Sequence, residues 1–194
     1  LGADFYAFPG QKWLCGPEGT GGLYVRRERL AELGQTYMGG FGVEFHSFKA
    51  DQVGFRPAAG AQRYEVGSVY RPGLVGLAAS LSWVNAAGPI FTAIAELSRY
   101  CQERVRELPG AEVLTPAGEE PSGLVAVRVP GVDVEAGLSF LAARGVMIRS
   151  VPENGAFRIS CGFYNTRAEI DRTVELLREF SHAQALPEDR DGTR

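Results

Sequence analysis

From residue 123 to residue 183 the hydrophobic period switches repeatedly between alternation and helical spacing, and few folds accept that rhythm. "GLVAVRVPG" (123–131) reads as a strand. "DVEAGLSFLAARG" (133–145) reads as a helix with Asp133 as its N-cap. "VMIRSV" (146–151) and "AFRISCGF" (156–163) are short apolar strands separated by a tight turn carrying Pro, Asn and Gly. "NTRAEIDRTVELLREFSHA" (165–183) predicts a helix, with Thr166 as N-cap and Glu169 closing a capping box. Ahead of this run, Pro89 opens a helix that extends to about Leu108. Its apolar positions Ile90, Ile94, Leu97, Cys101, Val105 and Leu108 fall at helical spacing. Residues 89–183 are therefore expected to form a small α+β domain, followed by a flexible polar tail over 184–194.

The first 88 residues have a different character. "TGGLYVR" (20–26) predicts a short strand, "RERLAEL" (27–33) a short helix stopped by Gly34, and "QRYEVGS" (62–68) a strand ending on Gly67 and Ser68. Residues 35–62 carry Tyr37, Phe41, Phe45, Phe48 and Phe55 without a clear period, which predicts a long loop. "RPGLVGLAASLSWVNAAG" follows as a helix with Pro72 near its start. Residue 1 falls on an apolar, aromatic stretch, so residues 1–88 are expected to be an incomplete part of a larger unit.

Composition removes several functional classes. A net charge of -3 and a pI near 5.5 give no attraction to nucleic acid or to an anionic membrane. Cys15, Cys101 and Cys161 show no C-x-x-C spacing, and His46 and His182 lie in unrelated contexts. Neither a disulfide scaffold nor a metal site is expected, and a reducing cytoplasm fits best. No apolar run approaches the ~20 residues of a membrane span. The opening "LGADFYAFPG" has neither the charged n-region nor the apolar h-region of a signal peptide.

Three places could carry chemistry. Lys12 stands in "PGQKWLCGPEGTGGLYV" (9–25), and the only other lysine of the chain is Lys49. A lysine amine becomes a nucleophile or base when desolvation or neighbouring charge lowers its pKa. The plain alternative is a solvated lysine on a turn. Gly67 and Ser68 offer a backbone N–H and a hydroxyl for an anion, or an ordinary helix cap. Arg149 and Arg158 sit on adjacent short strands joined by a tight turn. They suit an anionic ligand, because a guanidinium grips a carboxylate with two parallel hydrogen bonds; the alternative is the exposed face of a sheet.

Taken together, three segments resemble the C-terminal half of the class V aminotransferase family, pyridoxal-phosphate enzymes of fold type I. "DFYAFPGQKWLCGPEGTGGLYV" is similar to the family's cofactor-lysine segment, "RYEVGS" to its phosphate-contacting strand end, and "FRISCGFYNTRAEID" to its late arginine strand and final helix. The resemblance implies an α/β fold, with part of a cofactor-binding large domain over 1–88 and a small α+β C-terminal domain over 89–183. It also implies that Lys12 forms the aldimine with pyridoxal 5′-phosphate and then moves the substrate α-proton. Gln11, Gly67 and Ser68 would help hold the cofactor, with Ser68 reaching the phosphate of a neighbouring subunit in a homodimer with shared sites. Arg158 would bind the substrate α-carboxylate. Where family members often carry Ser or Thr and His just before the lysine, this chain has Pro9 and Gln11. The family's aspartate against the pyridine nitrogen and its ring-stacking residue precede the lysine, so this chain is expected to lack them and to be incomplete as an enzyme.

A desulfurase of this family needs a cysteine on a mobile loop near the late arginine strand, and "RSVPENGAFRIS" carries none. Alternation puts Cys161 on the face opposite Arg158. "MIRSVPENGAFRIS", "QKWLCGPEGTGGLYV" and "LSRYCQERVRELPG" are most similar to the cystine/cysteine C–S lyase branch, in which Arg149 would assist Arg158 in binding a cysteine-like amino acid. Transaminase, epimerase and desulfurase activities of the same family remain open, as does a non-catalytic interaction module.

Overall fold

The computed structural model describes residues 2–47, 49, 51, 54–116, 118 and 121–185. Contacts divide the chain between Gly88 and Pro89 into two compact units.

In the first unit, β1 (Phe5–Pro9) and β2 (Gly21–Val25) pair antiparallel, with Phe5 opposite Val25 and Pro9 opposite Gly21. The connection between them is folded tightly on itself. Gly10 N–H donates to the Thr20 carbonyl at 2.7 Å, Gly16 N–H to the Gly10 carbonyl at 2.8 Å, and Thr20 Oγ1 to the Pro17 carbonyl at 2.6 Å. Helix α1 (Arg71–Ala86) lies directly against this loop. A Cβ on Gly10 would stand 3.0 Å from Leu77 Cδ1, one on Gly16 2.7 Å from the same atom, and one on Gly76 2.6 Å from Pro17 Cγ. These glycines let loop and helix touch, and Ser80 Oγ adds a hydrogen bond to the Cys15 carbonyl at 3.0 Å.

Three expectations in this unit need correction. "RERLAEL" forms only a 3-10 turn, Arg27–Arg29. A segment this short does not nucleate an α-helix unaided, and Arg29 is instead drawn to Asp4 at 3.3 Å and Glu32 at 2.8 Å. Residues 35–62 are not a plain loop: β3 (Val43–Ser47) and β4 (Gly54–Pro57) form a hairpin. A register shift between Val43 and Phe45 breaks the alternation that would have announced it. Phe48 lies outside the described residues. Residues 62–68 are not a strand. Ala61–Tyr64 is a 3-10 turn. Arg63 donates to the Ala58 and Leu30 carbonyls at 2.9 and 3.1 Å, and Tyr64 OH to the Leu33 carbonyl at 3.0 Å. Side chains rather than a ladder therefore hold this stretch.

The second unit is a two-layer α+β sandwich. Its antiparallel sheet has the order β5 (Glu112–Val113), β6 (Leu124–Arg128), β8 (Ala156–Ser160), β7 (Arg149–Val151). Val125, Val127, Phe157 and Ile159 point inward and pack with Cys101 and Val105 of α2 (Ile90–Arg106). Leu141 of α3 (Val134–Ala142) and Ile170, Val174 and Leu177 of α4 (Arg167–Ala185) complete the core. Asp133 caps α3, accepting from the Glu135 and Ala136 N–H groups at 3.0 and 3.1 Å. Thr166 and Glu169 form the reciprocal capping box, with Thr166 N–H to Glu169 Oε2 at 2.7 Å and Glu169 N–H to Thr166 Oγ1 at 3.3 Å. Strand β7 begins at Arg149, later than the apolar run suggests. Val146 is taken up in closing α3, its N–H donating to the Leu141 carbonyl at 3.0 Å beyond Gly145 at φ +79°. Strand β5 escaped the sequence because two residues show no period. Most of the expected tail lies outside the described residues.

Candidate active site

Lys12 sits on the folded β1–β2 loop with its side chain exposed, between exposed Gln11 and half-buried Trp13 and Leu14. Its carbonyl accepts from Cys15 N–H at 3.0 Å, which makes the lysine the first residue of a tight turn. No ion pair engages its ammonium among the described residues. The loop is fixed by α1 from behind and leaves the amine on the open side. That is how a rigid, glycine-rich setting can hold a lysine at a defined place.

Gly67 and Ser68 are both exposed, and a Cβ at Gly67 would meet nothing within 4 Å. Ser68 lines a cavity of about 600 Å³ together with Thr20, Gly21, Gly22, Gln62 and Tyr70. Neither Gln11 nor Lys12 lines it. Within this unit Ser68 thus shares a cavity with the glycine-rich start of β2.

Arg149 and Arg158 are direct cross-strand partners in β7 and β8, and Ala126 of β6 stands opposite Arg158 on the other side. Partners in register share a face, so both guanidiniums rise from the sheet surface that the helices leave open. Like charges directly opposite one another are destabilising in a sheet. Neither arginine has an acidic partner among the described residues, and Arg158 Nε is buried with no hydrogen-bond partner. A buried guanidinium N–H in that state is an open donor for a carboxylate. Small Ala126 leaves room beside it. The cavity of about 350 Å³ in this unit is lined by Met147, Ile148, Cys161 and Arg172 among others, and by neither of these arginines.

Within this unit no described cysteine stands beside them. The turn between the two arginine strands is Pro152–Asn154 followed by Gly155 at φ +56°, with no cysteine from 149 to 160. Cys161 and Cys101 are buried together in the core, at 1% and 0% exposure. Contact with Cys161 and burial both push the Cys101 thiol up, so it stays neutral. The sequence reading passed over Arg128. Its signal was its two-residue offset from Ala126, which puts it on the same open face.

A probable cysteine desulfurase of Chlamydia trachomatis is 29% identical to this chain over 195 residues, covering 94% of the chain and 47% of that protein. A solved cystine C–S lyase in complex with its reaction product cysteine persulfide has a TM-score of 0.81 at 30% identity, covering 93% of this chain and 47% of its own. A lysine-to-alanine variant of that lyase, with glycine covalently linked to its PLP cofactor, has a TM-score of 0.81 at 28% identity over the same shares of both chains. The chain thus spans about half the length of these relatives. The mixed α/β architecture is that of a partial fold type I domain. The family model for aminotransferase class-V matches residues 1–173, and the chain belongs to that family.

Proposed function

We propose that this chain carries the lysine and carboxylate-binding parts of a pyridoxal-phosphate enzyme that breaks the C–S bond of cystine or a cysteine-like amino acid by β-elimination. The observation that carries the reading is the Arg149–Arg158 pair, two arginines directly opposite on adjacent strands with a buried donor of Arg158 unfilled. The names of the matching relatives, cysteine desulfurase and cystine C–S lyase, support the same substrate class.

The residues present fit the cofactor. Lys12 offers an exposed amine, while exposed Gly67 and Ser68 offer a backbone N–H and a hydroxyl to a phosphate, with Gln11 as a further donor beside the lysine. When bound, pyridoxal phosphate supplies the electron sink for the carbanion that forms at Cα. Arg158 binds the substrate α-carboxylate and Arg149 assists it, which fixes the direction of the Cα–H bond. Lys12 Nζ takes the α-proton. The Cα electron pair then forms the Cα–Cβ double bond, and the Cβ–S pair leaves with sulfur. Hydrolysis of the three-carbon remainder gives pyruvate and ammonia.

The same reading includes a homodimer in the cytoplasm, with Ser68 serving the phosphate of the second subunit's site. Exposed Val69, Tyr70 and Phe45 in the first unit support a covered surface there. Desulfuration is the second reading, favoured by the desulfurase relatives; the cysteine-free Arg149–Arg158 turn supports elimination instead.

Product analysis separates the two. Full-length protein given pyridoxal phosphate and cystine, or cysteine, is expected to release pyruvate and ammonia. Alanine, with sulfur left on a protein thiol, would contradict elimination and establish desulfuration. Absence of either product would leave a non-catalytic module.

A further inference from the structure

We propose that Arg128 is a positioning residue for the substrate carboxylate: it holds the β7–β8 turn from the neighbouring strand and so sets Arg149 opposite Arg158. The inference rests on the reading of that pair as the carboxylate site.

Arg128 ends β6 and uses two edges of its guanidinium at once. Nη1 donates to Glu112 Oε2 on β5 at 2.6 Å, and Nε donates to the Asn154 carbonyl in the turn at 3.0 Å. One planar fork therefore ties an edge strand to the turn that joins the two arginine strands. Besides its own Gly155 N–H to Pro152 carbonyl hydrogen bond at 3.2 Å and the Val151–Ala156 pair at its base, the turn is open: Pro152, Glu153, Asn154 and Gly155 are all exposed, and Gly155 bends the chain at φ +56°. Register in a hairpin is set by its turn. A slip at this turn would carry Arg149 away from Arg158 or onto the other face.

Charge assigns Glu112 a second part. Arg128 lies on the same open face as Arg158, and unpaired it would offer a competing grip on a carboxylate. Glu112 occupies Nη1 of Arg128, leaving Arg149 and Arg158 as the guanidiniums of that face without an acidic partner among the described residues.

Magnitudes make the role testable. The Arg128–Glu112 pair is substantially exposed, 42% and 60%, so its share of folding stability is small. A merely structural contact would leave substrate handling untouched. Arg128→Gln and Arg128→Lys are compared with wild type in the holoenzyme, with two readouts. Amide exchange over residues 149–158 is expected to quicken in both variants, since lysine keeps the charge without the fork. KM for cystine is expected to rise about tenfold with kcat nearly unchanged, the mark of lost substrate positioning rather than lost chemistry. Exchange as slow as wild type in either variant, or a fall in kcat at constant KM, would overturn the proposal. If wild-type protein does not turn over cystine, the functional reading fails, while exchange still decides whether Arg128 holds the turn.

Discussion

Arg149 and Arg158 face each other across β7 and β8 with no carboxylate partner among the described residues, and a buried donor of Arg158 is left unfilled. Such a pair is unfavourable by itself and favourable around an anion. Arg149→Ala is therefore expected to leave stability unchanged or raise it by up to about 1 kcal/mol, while weakening substrate binding. Arg158→Lys removes the two-pronged grip and should cost about 1.5–3 kcal/mol of binding, roughly 10- to 150-fold in KM. Urea midpoints and steady-state kinetics on both variants check the opposite signs.

The lysine loop depends on contact with α1. Gly16→Ala would place a methyl 2.7 Å from Leu77 Cδ1 and 3.0 Å from the Gly10 carbonyl oxygen. A flexible leucine can yield, but the backbone carbonyl cannot yield as easily, so a loss of about 1–3 kcal/mol is expected. Leu77→Ala in the same background should recover part of that loss. Thermal unfolding of the single and double variants measures it.

In the second unit, Gly137→Ala sets two effects against each other. Alanine improves helix propensity by about 1 kcal/mol. Its methyl would stand 2.7 Å from Phe157 Cζ and 3.1 Å from Phe180 Cε1, both buried. Overpacking of this kind costs about 1–3 kcal/mol, so net destabilisation is expected. Calorimetry reads it directly.

Acid should find Asp171. The Tyr100 hydroxyl at 2.7 Å, and then Arg104 at 2.7 Å, hold its carboxyl below the usual carboxylate range. A depressed folded-state pKa means that the carboxylate contributes stability above the unfolded value of about 4, and loses it as pH falls through the folded value. The stability gap between wild type and Asp171→Asn should be constant near neutrality and shrink below about pH 4. Denaturant midpoints across that range test the sign.

The sequence showed most of the second unit because its elements are stabilised locally. Asp133 and the Thr166–Glu169 box announce helix starts, and the inward valines of β6 announce the sheet. Even the Arg149–Arg158 juxtaposition was readable from two short strands and a tight turn. The first unit was harder, because its structure is written in distant contacts. Arg63 reaching Leu30, and Gly10 and Gly16 meeting Leu77, leave no periodic trace. The β3–β4 hairpin was hidden by its own bulge. At the candidate site, Lys12 and Ser68 stood out in sequence, but the cavity that Ser68 shares with Thr20, Gly21 and Gly22 did not. Arg128 was missed because its partners, Glu112 and Asn154, are 16 and 26 residues away.

The most direct measurement is borohydride reduction of the protein with pyridoxal phosphate, followed by peptide mapping by mass spectrometry. A phosphopyridoxyl adduct confined to Lys12, and lost in Lys12→Ala, is the expected result. An absent adduct, or one spread equally over Lys12 and Lys49, would contradict Lys12 as the cofactor lysine.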